Sequence, residues 1–430
     1  MTTIDTIISL CKRRGFIFPG SEIYGGFANS WTYGPLGEQL RRNIANTWWS
    51  RFVEHRKDIY ALGPEVIMNP KVWEASGHIA EFTDPLVECK NCHNRFRADQ
   101  IEGMCPNCGE KNFSDAKKFN LLFKTFVGPV ESDATVAYLR GELAQAMFVN
   151  YPAVMQTMRP DMPFGIAAQG KVFRNEITPG NFIFRTREFD LMEFEYFVKP
   201  EDWEKYFEYW RKEMHAWLTH LGVDAGHVHE HEIPDGERAH FSKRTIDFEY
   251  DYPFGQKELY GLAYRTDFDL KNHAEKTGVN FGELPHVIEP TFGLDRSVLV
   301  ALLEAYHEEK VSGTLDEKVP DTFRTVLKFP HWLAPIQVAV LPLSKKAELS
   351  KPARELAESL RKQFRVDYDE TQSIGKRYRR QDEIGTPFCI TVDFETLTDN
   401  AVTIRDRDTM KQKRVAIEKL EESIKKVLES

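Results

Sequence analysis

Two segments of the chain repeat apolar residues at the spacing of an amphipathic helix. The first runs from Pro35 to Asp58 and has an apolar residue at every fourth position, at Leu36, Leu40, Ile44, Trp48 and Phe52. The second repeats at alternating spacings of four and three, at Trp203, Phe207, Trp210, Met214, Trp217 and Leu221. Because residues three or four apart share one face of an α-helix, both patterns predict helices whose apolar face packs against a core.

A pair of strands is predicted between these two helices. The stretches Lys171 to Ile177 and Asn181 to Phe189 are rich in β-branched and aromatic residues. They flank the turn residues Thr178-Pro179-Gly180. This order predicts antiparallel strands joined by a loop.

The last hundred residues alternate in a way that predicts a small α/β domain. Pro320 to Pro335 is punctuated by proline and has little periodicity, so it is predicted to be a linker. After it come a strand, a helix, a second strand, a further short segment and a helix, at Gln337 to Leu343, Lys346 to Phe364, Pro387 to Asp393, Ala401 to Asp406 and Lys411 to Leu428. The predicted domains are residues 1–325 and residues 335–430.

Composition places the chain among packed globular proteins. Of its 430 residues, 41% are hydrophobic and 12% are aromatic, and the length predicts two or three domains. No apolar run approaches the length that crosses a membrane. The apolar stretch Ile4 to Cys11 precedes the basic run Lys12-Arg13-Arg14, which reverses the order found in a secretory signal. These features predict a cytoplasmic protein with no membrane partner.

The charge is acidic overall but uneven along the chain. A net charge of −9 argues against a general nucleic-acid coat, which needs concentrated Lys and Arg. From His331 to Ser430, however, 19 Lys and Arg stand against 17 Asp and Glu. A dense basic cluster in this segment consists of Lys376, Arg377, Arg379 and Arg380. Taken alone, such a cluster is typical of a solvated helix face, and a nucleic-acid contact is the alternative.

Four of the six cysteines form two Cys-x-x-Cys pairs separated by twelve residues, at Cys89, Cys92, Cys105 and Cys108. Two such knuckles can supply a closed tetrahedral set of thiolates, which suits structural zinc and leaves no position for a substrate. We therefore predict a zinc-ribbon insert at about residues 85–112. Disulfides and an iron–sulfur cluster are the alternatives. A chain without an export signal keeps its thiols reduced, and no other feature indicates electron transfer.

Three arginines near the predicted strands indicate an anion site. Arg174 lies in the first strand, Arg185 lies in the second, and Arg296 stands in the first turn of the helix predicted after Gly293. A guanidinium on a strand is a rigid bidentate donor for phosphate or carboxylate, and a helix N-terminus adds positive potential. Together they predict a polyphosphate site, although each arginine alone is equally typical of a surface salt bridge. The sequence has no P-loop or dinucleotide glycine pattern.

The order of these residues resembles that of a known family. Three runs of the chain resemble motifs 2 and 3 of the class II aminoacyl-tRNA synthetases. They are Phe173-Arg174-Asn175-Glu176, Arg185 to Phe189, and Gly293-Leu294-Asp295-Arg296. Four longer runs look specifically like the single-chain, homodimeric glycyl-tRNA synthetases, namely Arg174 to Glu193, Ser21 to Gly26, Asn69 to His78 and Arg265 to Leu270. The resemblance extends over nearly the whole chain.

The resemblance implies an α+β fold with three parts. These are a class II synthetase catalytic domain with a largely antiparallel sheet flanked by helices, the zinc-ribbon insert, and a C-terminal α/β anticodon-binding domain. A homodimer is also implied, with the helix Pro35 to Asp58 and the strand that follows it at the interface. The implied nucleic-acid partner is tRNA(Gly), with predicted contacts at Lys376, Arg377, Arg379 and Arg380.

By the same resemblance, the chain activates glycine with ATP and transfers it to tRNA. Arg174 is predicted to bridge glycine and the α-phosphate. Arg185 and Arg296 are predicted to hold the γ-phosphate, Phe189 to stack on adenine, and Glu258 to bind Mg²⁺. The predicted catalytic set is Arg174, Glu258 and Arg296. The predicted ATP-binding residues are Arg174, Asn175, Glu176, Phe184, Arg185, Thr186, Arg187, Glu188, Phe189, Glu258, Leu259, Gly293, Leu294, Asp295 and Arg296.

The resemblance further implies an acidic pocket for the glycine ammonium group. Glu142, Glu193 and Glu289 are predicted to surround that group with Thr291, and Arg97 is predicted to reach the site from the insert. The full set of predicted glycine-binding residues is Arg97, Glu142, Phe189, Asp190, Leu191, Met192, Glu193, Glu289, Pro290, Thr291, Phe292 and Gly293. Because overpacking is costly, exclusion of a methyl group is expected to give selectivity without an editing domain.

The sequence departs from the family at three positions of this pocket. Gly141 and Leu143 stand in the place of the usual Pro and Thr, and Thr291 stands where Ser is usual. Two alternative functions remain open, a class II synthetase for another amino acid and a non-catalytic relative that binds nucleic acid. Retention of the catalytic residue types argues against the second, as seen at Arg174, Glu176, Glu258 and Arg296.

Overall fold

The computed structural model describes residues 2–132, 135–311 and 322–428. Within these ranges the α-helices are α1 (Ile4–Arg14), α2 (Pro35–Trp49), α3 (Pro70–Ala75), α4 (His78–Glu81), α5 (Ala144–Met158), α6 (Trp203–Leu221), α7 (Phe268–Thr277), α8 (Leu294–Ala305), α9 (Ala347–Leu360), α10 (Ile374–Ile384), α11 (Thr396–Asp399) and α12 (Leu420–Leu428). Short 3-10 helices lie at Glu22–Tyr24, Ala98–Gln100, Phe182–Phe184, Pro200–Asp202, Ala225–His227, His331–Leu333 and Ile417–Lys419.

The strands in the same ranges are β1 (Ile17–Pro19), β2 (Trp31–Tyr33), β3 (Ile59–Ala61), β4 (Ile67–Met68), β5 (Thr83–Glu88), β6 (Arg95–Arg97), β7 (Lys117–Asn120), β8 (Lys124–Phe126), β9 (Val136–Leu139), β10 (Phe164–Phe173), β11 (Glu188–Val198), β12 (Val228–Glu232), β13 (Arg244–Tyr252), β14 (Gly255–Thr266), β15 (His286–Gly293), β16 (Tyr306–Val311), β17 (Thr322–Leu327), β18 (Val338–Pro342), β19 (Val366–Tyr368), β20 (Phe388–Val392), β21 (Ala401–Asp406) and β22 (Gln412–Ala416).

A seven-stranded sheet organises the larger part of the described chain. Its strand order is β12-β13-β14-β15-β11-β10-β3. Every neighbouring pair is antiparallel except β10 and β3, which run parallel. The predicted α+β fold with a largely antiparallel sheet is therefore confirmed.

Helices cover both faces of this sheet because each buries the apolar stripe that its sequence contains. On one face, α2, α6 and α8 share a core with the even-numbered residues Met192 and Phe194 of β11. On the other face, α5 and α7 pack around the odd-numbered residues Leu191 and Phe197. Since successive side chains of a strand point to opposite faces, Glu193 and Glu195 belong to the α5 and α7 side.

The two helices expected from periodicity are confirmed, with one difference in length. The four stripe residues from Leu40 to Phe52 are at most 1% exposed, as are those of α6 from Phe207 to Leu221. The first helix ends earlier than predicted, at Trp49, and continues as one turn of π-helix, Ser50–Glu54.

The two strands predicted around Pro179 are shorter than expected. β10 ends at Phe173 and β11 begins at Glu188. The prediction that Arg174 and Arg185 lie on strands is therefore wrong. Both residues belong to the loop that joins the strands, although the amide of Arg174 still donates to the carbonyl of Arg187.

Two local features end this ladder. The amide of Asn175 donates to the carbonyl oxygen of Leu121, outside the sheet, at 2.7 Å. Asn181 and Phe182 have φ values of 56° and 59°, in the left-handed region that a β-strand does not contain. The segment Phe182–Phe184 consequently forms a 3-10 turn that buries its aromatic rings.

The cysteine-rich insert forms a small sheet with the order β6-β5-β7. Cys89 directly follows β5 and forms an isolated bridge with Phe113. A second small sheet, β4-β9-β8, lies beside it in sequence. The insert thus brings β6, which ends at Arg97, next to the strands of the catalytic part.

The C-terminal segment folds as the predicted α/β unit. Its sheet has the order β19-β18-β20-β21-β22, with parallel pairing around β18 and antiparallel pairing from β20 to β22. The core between this sheet and its helices includes Val340, Leu360, Ile390 and Ile424.

Two predictions about this region are wrong. The supposed linker contains β17, which pairs with β16 and buries Val326 and Leu327. The helix expected from Lys411 to Leu428 begins only at Leu420, because Gln412–Ala416 pairs with β21 as β22.

No helix in the described ranges is both long enough and apolar enough to cross a membrane.

Candidate active site

A cavity of about 490 Å³ lies at strands β11, β14 and β15. Most of the predicted site residues line it, namely Arg97, Glu142, Arg174, Glu176, Phe184, Arg185, Thr186, Phe189, Asp190, Leu191, Glu193, Glu258, Leu259, Glu289, Thr291, Gly293, Asp295 and Arg296. Residues that are nearly two hundred positions apart in the sequence thus meet in one place.

The other predicted residues lie elsewhere. A second cavity, which shares Thr186 and Asp295 with the first, is lined by Asn175, Arg187 and Glu188. Side chains buried in the core are those of Met192, Pro290, Phe292 and Leu294. The prediction that Met192 and Phe292 contact the ligand through their side chains is wrong. Strand alternation turns these side chains away from the face that carries Glu193 and Thr291.

Guanidinium groups form a cationic part of the cavity wall around Arg296. This residue donates through Nη1 to the carbonyl oxygen of Glu258 at 2.9 Å, and the same nitrogen is 3.1 Å from Glu258 Oε2. Its guanidinium carbon is 4.5 Å from the centre of the Phe184 ring. The ring and the carboxylate together fix the plane of the guanidinium, whose N–H groups can bind an anion bidentately.

Arg174 is fixed in a similar way. Its Nε donates to the carbonyl oxygen of Gly141 at 3.1 Å. Its guanidinium carbon is 5.2 Å from the Phe82 ring centre and 5.3 Å from that of Phe189. Phe189 therefore contacts Arg174 as well as lining the cavity, and a guanidinium has five N–H donors for sharing between protein and ligand.

Two carboxyl groups line the cavity beside the cationic part, Asp247 on β13 and Glu258 on β14. The charge of Arg296 lowers the pKa of Glu258. Burial, reinforced by the charges of Glu258 and Glu249, raises the pKa of Asp247 to about 7. Mg²⁺ in phosphate sites is held by one or two carboxylates and phosphate oxygens, so these two residues fit its donor set. Asp247 is not among the predicted residues, although acidic and apolar residues alternate along β13.

Another part of the wall is acidic. Glu193 on β11 pairs in register with Thr291 on β15, and its Oε1 accepts a hydrogen bond from the amide of Leu143 at 2.8 Å. Glu142 and Glu289 complete this part of the wall. The residues predicted to surround an ammonium group are therefore brought together.

Arg265 offsets part of the negative charge of this acidic wall. It was not among the predicted site residues. It is 1% exposed, and its guanidinium donates to both oxygens of Glu289 at 2.9 and 3.0 Å and to both oxygens of Asp269 at 2.9 and 3.0 Å. The guanidinium carbon is 3.6 Å from the ring centre of Phe241. The sequence feature that could have indicated Arg265 is the run Arg265 to Leu270, which is one of the four runs that resemble the family.

Glu195 is a third unpredicted member of the site. It is fully buried, and neither carboxyl oxygen has a hydrogen-bond partner among the described residues. One oxygen from each of Glu193, Glu195 and Glu289 lies within 4.8 Å of the others. Burial, with the charges of Glu289 and Glu142, raises the pKa of Glu193 to about 8, and burial raises that of Glu195 well above its usual range. Because like charges this close disfavour ionisation, the cluster holds protons when no cation is bound.

Asp295 connects the cavity to the neighbouring elements. Its Oδ1 accepts a hydrogen bond from the Tyr33 hydroxyl at 2.6 Å, and its Oδ2 accepts one from the Asp190 amide at 2.7 Å. The Asp190 carboxylate is in turn 3.0 Å from Nη1 of Arg41 on α2. Burial, with the charge of Asp190, raises the pKa of Asp295 to about 6. Asp295 thus ties α2, β11 and α8 together beside the cavity.

Arg97 reaches the cavity from the insert, at the end of β6. Its Nη1 is 3.0 Å from Asp84 Oδ2, and its Nη2 is 2.8 Å from Asp99 Oδ2. The two carboxylates hold the guanidinium at the cavity wall. Its position there depends on the sheet of the insert, because Leu86 of β5 pairs with Arg97.

The four predicted metal ligands converge in the insert. The Sγ atoms of Cys89 and Cys108 are 3.6 Å apart, those of Cys92 and Cys105 are 3.5 Å apart, and all four lie within 4.8 Å of one another. A tetrahedral zinc ion with Zn–S bonds of about 2.3 Å separates its ligand sulfurs by about 3.8 Å. The arrangement fits zinc, and these separations are too long for disulfide bonds.

The basic cluster of the C-terminal domain is only partly at the surface. Arg377 is 1% exposed, and its guanidinium donates to the main-chain carbonyls of Pro342, Asp369 and Gln372. The prediction of Arg377 as a tRNA contact is therefore wrong. Its guanidinium donates hydrogen bonds to carbonyl groups inside the domain, where a tRNA cannot contact it.

The remaining members of the cluster differ in exposure. Arg380 is half-buried and forms an ion pair with Asp369. Arg379 Nη1 is 3.6 Å from the buried Asp382. Lys376 is exposed in the first turn of α10. Of the four residues, Lys376 is the most exposed, and the side chains of Arg379 and Arg380 are partly exposed.

The fold and this cavity are those of a class II aminoacyl-tRNA synthetase. A family model described as the tRNA synthetase class II core domain (G, H, P, S and T) matches residues 146–306. A second model, the anticodon binding domain, matches residues 337–427, which are the C-terminal α/β unit. The first match covers six of the seven strands of the central sheet, and the second covers the small C-terminal sheet.

Curated relatives narrow the class to one family. The chain is 49% identical to the glycine–tRNA ligase of Streptomyces coelicolor, over 97% of each chain. It is 48% identical to that of Geobacillus thermodenitrificans, over 97% of this chain and 96% of the relative. It is also 48% identical to that of Clostridium perfringens, over 99% of each chain. The chain belongs to the glycine–tRNA ligase family.

The acidic wall predicts a pH dependence of glycine binding. An acid with a raised pKa is neutral below that pKa and ionises as the pH rises through it. Since Glu193 has a pKa of about 8 and an ammonium group needs its ionised form, the KM for glycine should fall roughly fivefold between pH 7 and pH 8. Glycine-dependent ATP–pyrophosphate exchange at saturating ATP measures this change.

A variant that cannot titrate provides the comparison. Glu193→Gln removes the ionisable group, so its KM for glycine should be high and flat across the same pH range. A wild-type KM that does not change between pH 7 and pH 8 would contradict the role of Glu193.

The cysteine geometry predicts one zinc ion per chain. Replacing Cys89 and Cys105 with Ser should abolish zinc binding, as measured by elemental analysis, and raise amide hydrogen exchange in β5, β6 and β7, because closed thiolate sites stabilise the fold around them. Cys11→Ala, which removes a buried thiol outside the insert, should retain the metal. A fully active preparation free of zinc would refute this.

Proposed function

We propose that this protein is a glycine–tRNA ligase that forms glycyl-adenylate from glycine and ATP and then transfers glycine to the 3′ end of tRNA(Gly). The observation that carries the proposal is the joining of two charged regions in one cavity. Arg174 donates to the carbonyl oxygen of Gly141, which directly precedes Glu142. The anion-binding guanidinium and the acidic wall are therefore adjacent.

The first step joins two anions. A carboxylate oxygen of glycine attacks the α-phosphorus of ATP, a new P–O bond forms, and the bond to the bridging oxygen breaks to release pyrophosphate. Arg174 would contact both reacting groups and stabilise the charge that develops on the α-phosphate. Removing one donor of this type lowers the rate by about 10²–10³.

The other cationic residues hold the remaining phosphates. Arg296 and Arg185 line the same wall and suit the γ-phosphate, and Phe189 provides a ring for adenine. Glu258 and Asp247 are the residues that would hold Mg²⁺, which when bound neutralises phosphate charge. In the second step the terminal ribose hydroxyl of tRNA attacks the glycyl carbonyl, an ester forms, and AMP leaves with the hydroxyl proton.

Glycine is recognised by its charges and by its size. Its ammonium group suits the carboxylates of Glu142, Glu193 and Glu289. Thr291, paired with Glu193 across β11 and β15, places a branched side chain in the wall. A larger amino acid must displace such close-packed groups, and overpacking typically costs about 1–3 kcal/mol.

The tRNA-binding face is proposed to lie at the ends of the parallel strands β18 and β20, in place of the buried Arg377. Large apolar side chains are exposed there, with Leu343 at 40%, Phe394 at 44% and Leu397 at 49%. Lys346 Nζ lies 5.4 Å from the ring centre of Phe394. Aromatic rings flanked by lysine suit unpaired bases and their phosphates.

A homodimer is the remaining part of the proposal. Large apolar side chains are exposed in the segment before α2, with Ile23, Tyr24 and Phe27 between 83% and 88% exposed. Ile67 on β4 and Val130 are 51% and 63% exposed. Exposed apolar side chains of this size favour an interaction surface, and a second copy of the chain would cover them.

The central test of this proposal is Arg174→Ala. Glycine-dependent ATP–pyrophosphate exchange should fall by about 10²–10³, because the donor to the α-phosphate is lost. Arg211→Ala provides a matched control, since Arg211 pairs with Glu230 at the surface and its loss should leave exchange unchanged. A panel of amino acids in the same assay tests the substrate. Near-normal exchange in Arg174→Ala, or exchange driven by an amino acid other than glycine, would refute the proposal.

The tRNA face leads to a second prediction. Phe394→Ala should lower kcat/KM for tRNA charging by about 10- to 100-fold, because one stacked base is worth about 1–3 kcal/mol. Lys346→Ala and Lys376→Ala should weaken charging and flatten its salt dependence.

Exchange without tRNA serves as the internal control for these variants and should stay within about twofold of wild type. Lys362→Ala, an exposed lysine just beyond α9, should change neither assay. Equal losses of exchange and charging would mean that these residues support the fold.

A further inference from the structure

The segment Asn69 to His78 carries part of the family resemblance, but the functions described so far do not use it. Helix α3 ends before Ser76, Gly77 has a φ of 82°, and α4 begins at His78. This tight connection places His78 against the acidic wall of the cavity, where it is 2% exposed. A left-handed φ favours glycine, so the connection depends on Gly77.

His78 contacts a predicted glycine-binding residue directly. Its Nε2 donates to Glu142, with 3.1 Å between Nε2 and Oε2. Its other ring nitrogen, Nδ1, is 2.8 Å from the Ser76 hydroxyl oxygen. The second oxygen of Glu142, Oε1, accepts a hydrogen bond from Gln145 Nε2 at 3.0 Å. Each Glu142 oxygen thus has a protein donor, and of the two donors the imidazole is the one that can carry charge.

Arg265 is the other cation near Glu142, and it already pairs with other carboxylates. Arg265 Nη2 is 4.0 Å from Glu142 Oε1, but the guanidinium forms its close hydrogen bonds with Glu289 and Asp269. Burial opposes ionisation of Glu142, yet the charge and hydrogen bond of His78 hold the pKa of Glu142 well below its usual range. Glu142 therefore stays ionised while the neighbouring Glu193 holds a proton.

His78 is itself held in place on several sides. Its ring packs against Trp73 and Phe82, with centroid distances of 5.3 and 5.2 Å. The carbonyl oxygen of Ser76 lies 3.1 Å from His240 Nε2, which anchors the turn. Phe82 also contacts the guanidinium of Arg174. The orientation of His78 is thus fixed by the same elements that fix the catalytic arginine.

We propose that His78 is a positioning residue for amino-group recognition, which holds the Glu142 carboxylate in place and aimed at the ammonium group of glycine. This inference rests on the proposed function, since it assigns the substrate that Glu142 meets. His78 acts through Glu142 and contacts neither the substrate nor the reacting atoms.

Two substitutions distinguish the contribution of the His78 N–H donor from that of its aromatic ring. His78→Phe keeps an aromatic ring between Trp73 and Phe82 but removes the N–H group. His78→Gln loses the ring but can present an amide N–H to Glu142. The matched control is His229→Phe, which removes an exposed imidazole that is 3.0 Å from Asp251.

The measurement is exchange kinetics with glycine and ATP varied separately, with thermal unfolding as the check on folding. His78→Phe should raise the KM for glycine about 10- to 100-fold, as loss of a hydrogen bond to a charged group does, with kcat and the KM for ATP within about twofold of wild type. His78→Gln should raise the KM for glycine less, about 3- to 10-fold, and His229→Phe should not change it.

Three results would overturn the inference. The first is an unchanged KM for glycine in His78→Phe. The second is a uniform loss, in which His78→Gln is no better than His78→Phe and both raise the KM for ATP or lower kcat, since that pattern belongs to a structural role. The third is a wild-type protein without glycine-dependent exchange, which would overturn the proposed function as well.

Discussion

The guanidinium of Arg265, 1% exposed, lies between the carboxylates of Asp269 and Glu289. Glu193 and Glu195 stand on β11, the strand next to β15, which carries Glu289. Carboxylates at the centre of a sheet are costly to bury unless they are paired or protonated. Breaking a buried pair by removing one partner costs about 3–5 kcal/mol. The end of β14 leads into α7 and places Arg265 where it can pair with both Asp269 and Glu289, which offsets part of this cost.

Of three consecutive residues beside this wall, two contribute through the main chain and one through its side chain. The carbonyl of Gly141 orients Arg174, the side chain of Glu142 joins the acidic wall, and the amide of Leu143 donates to Glu193. Gly141 and Leu143 are positions where the sequence departs from its family. Both contribute through backbone groups, so these departures leave the two hydrogen bonds that link the cationic and acidic parts in place. Leu143 places its side chain in the core beneath the wall.

Sequence reasoning succeeded where residue type and spacing alone determine the outcome. The four cysteines and the apolar stripes of α2 and α6 are of this kind, because ligand chemistry and helical period are local properties. It failed where the outcome depends on strand register. Glu195 and Glu289 become neighbours only through the pairing of β11 with β15. The charge pattern also failed to predict the role of Arg377. A basic cluster in the sequence does not show that one of its guanidinium groups donates hydrogen bonds to main-chain carbonyls at strand ends.

The failed linker prediction has a structural consequence for the whole molecule. Arg324 of β17 is buried in contact with the C-terminal domain, with Nη1 3.2 Å from Asp382 and 2.8 Å from the carbonyl oxygen of Arg407. The next residue of α10, Glu383, pairs with Arg14 of α1 at 2.6 Å. Helix α10 is therefore attached to the catalytic part by its last turn, while its first turn carries Lys376 toward the proposed tRNA face. Part of a segment predicted to be a linker is instead a strand that joins the catalytic part to the C-terminal domain, so the proposed tRNA face is attached to the unit that contains the cavity.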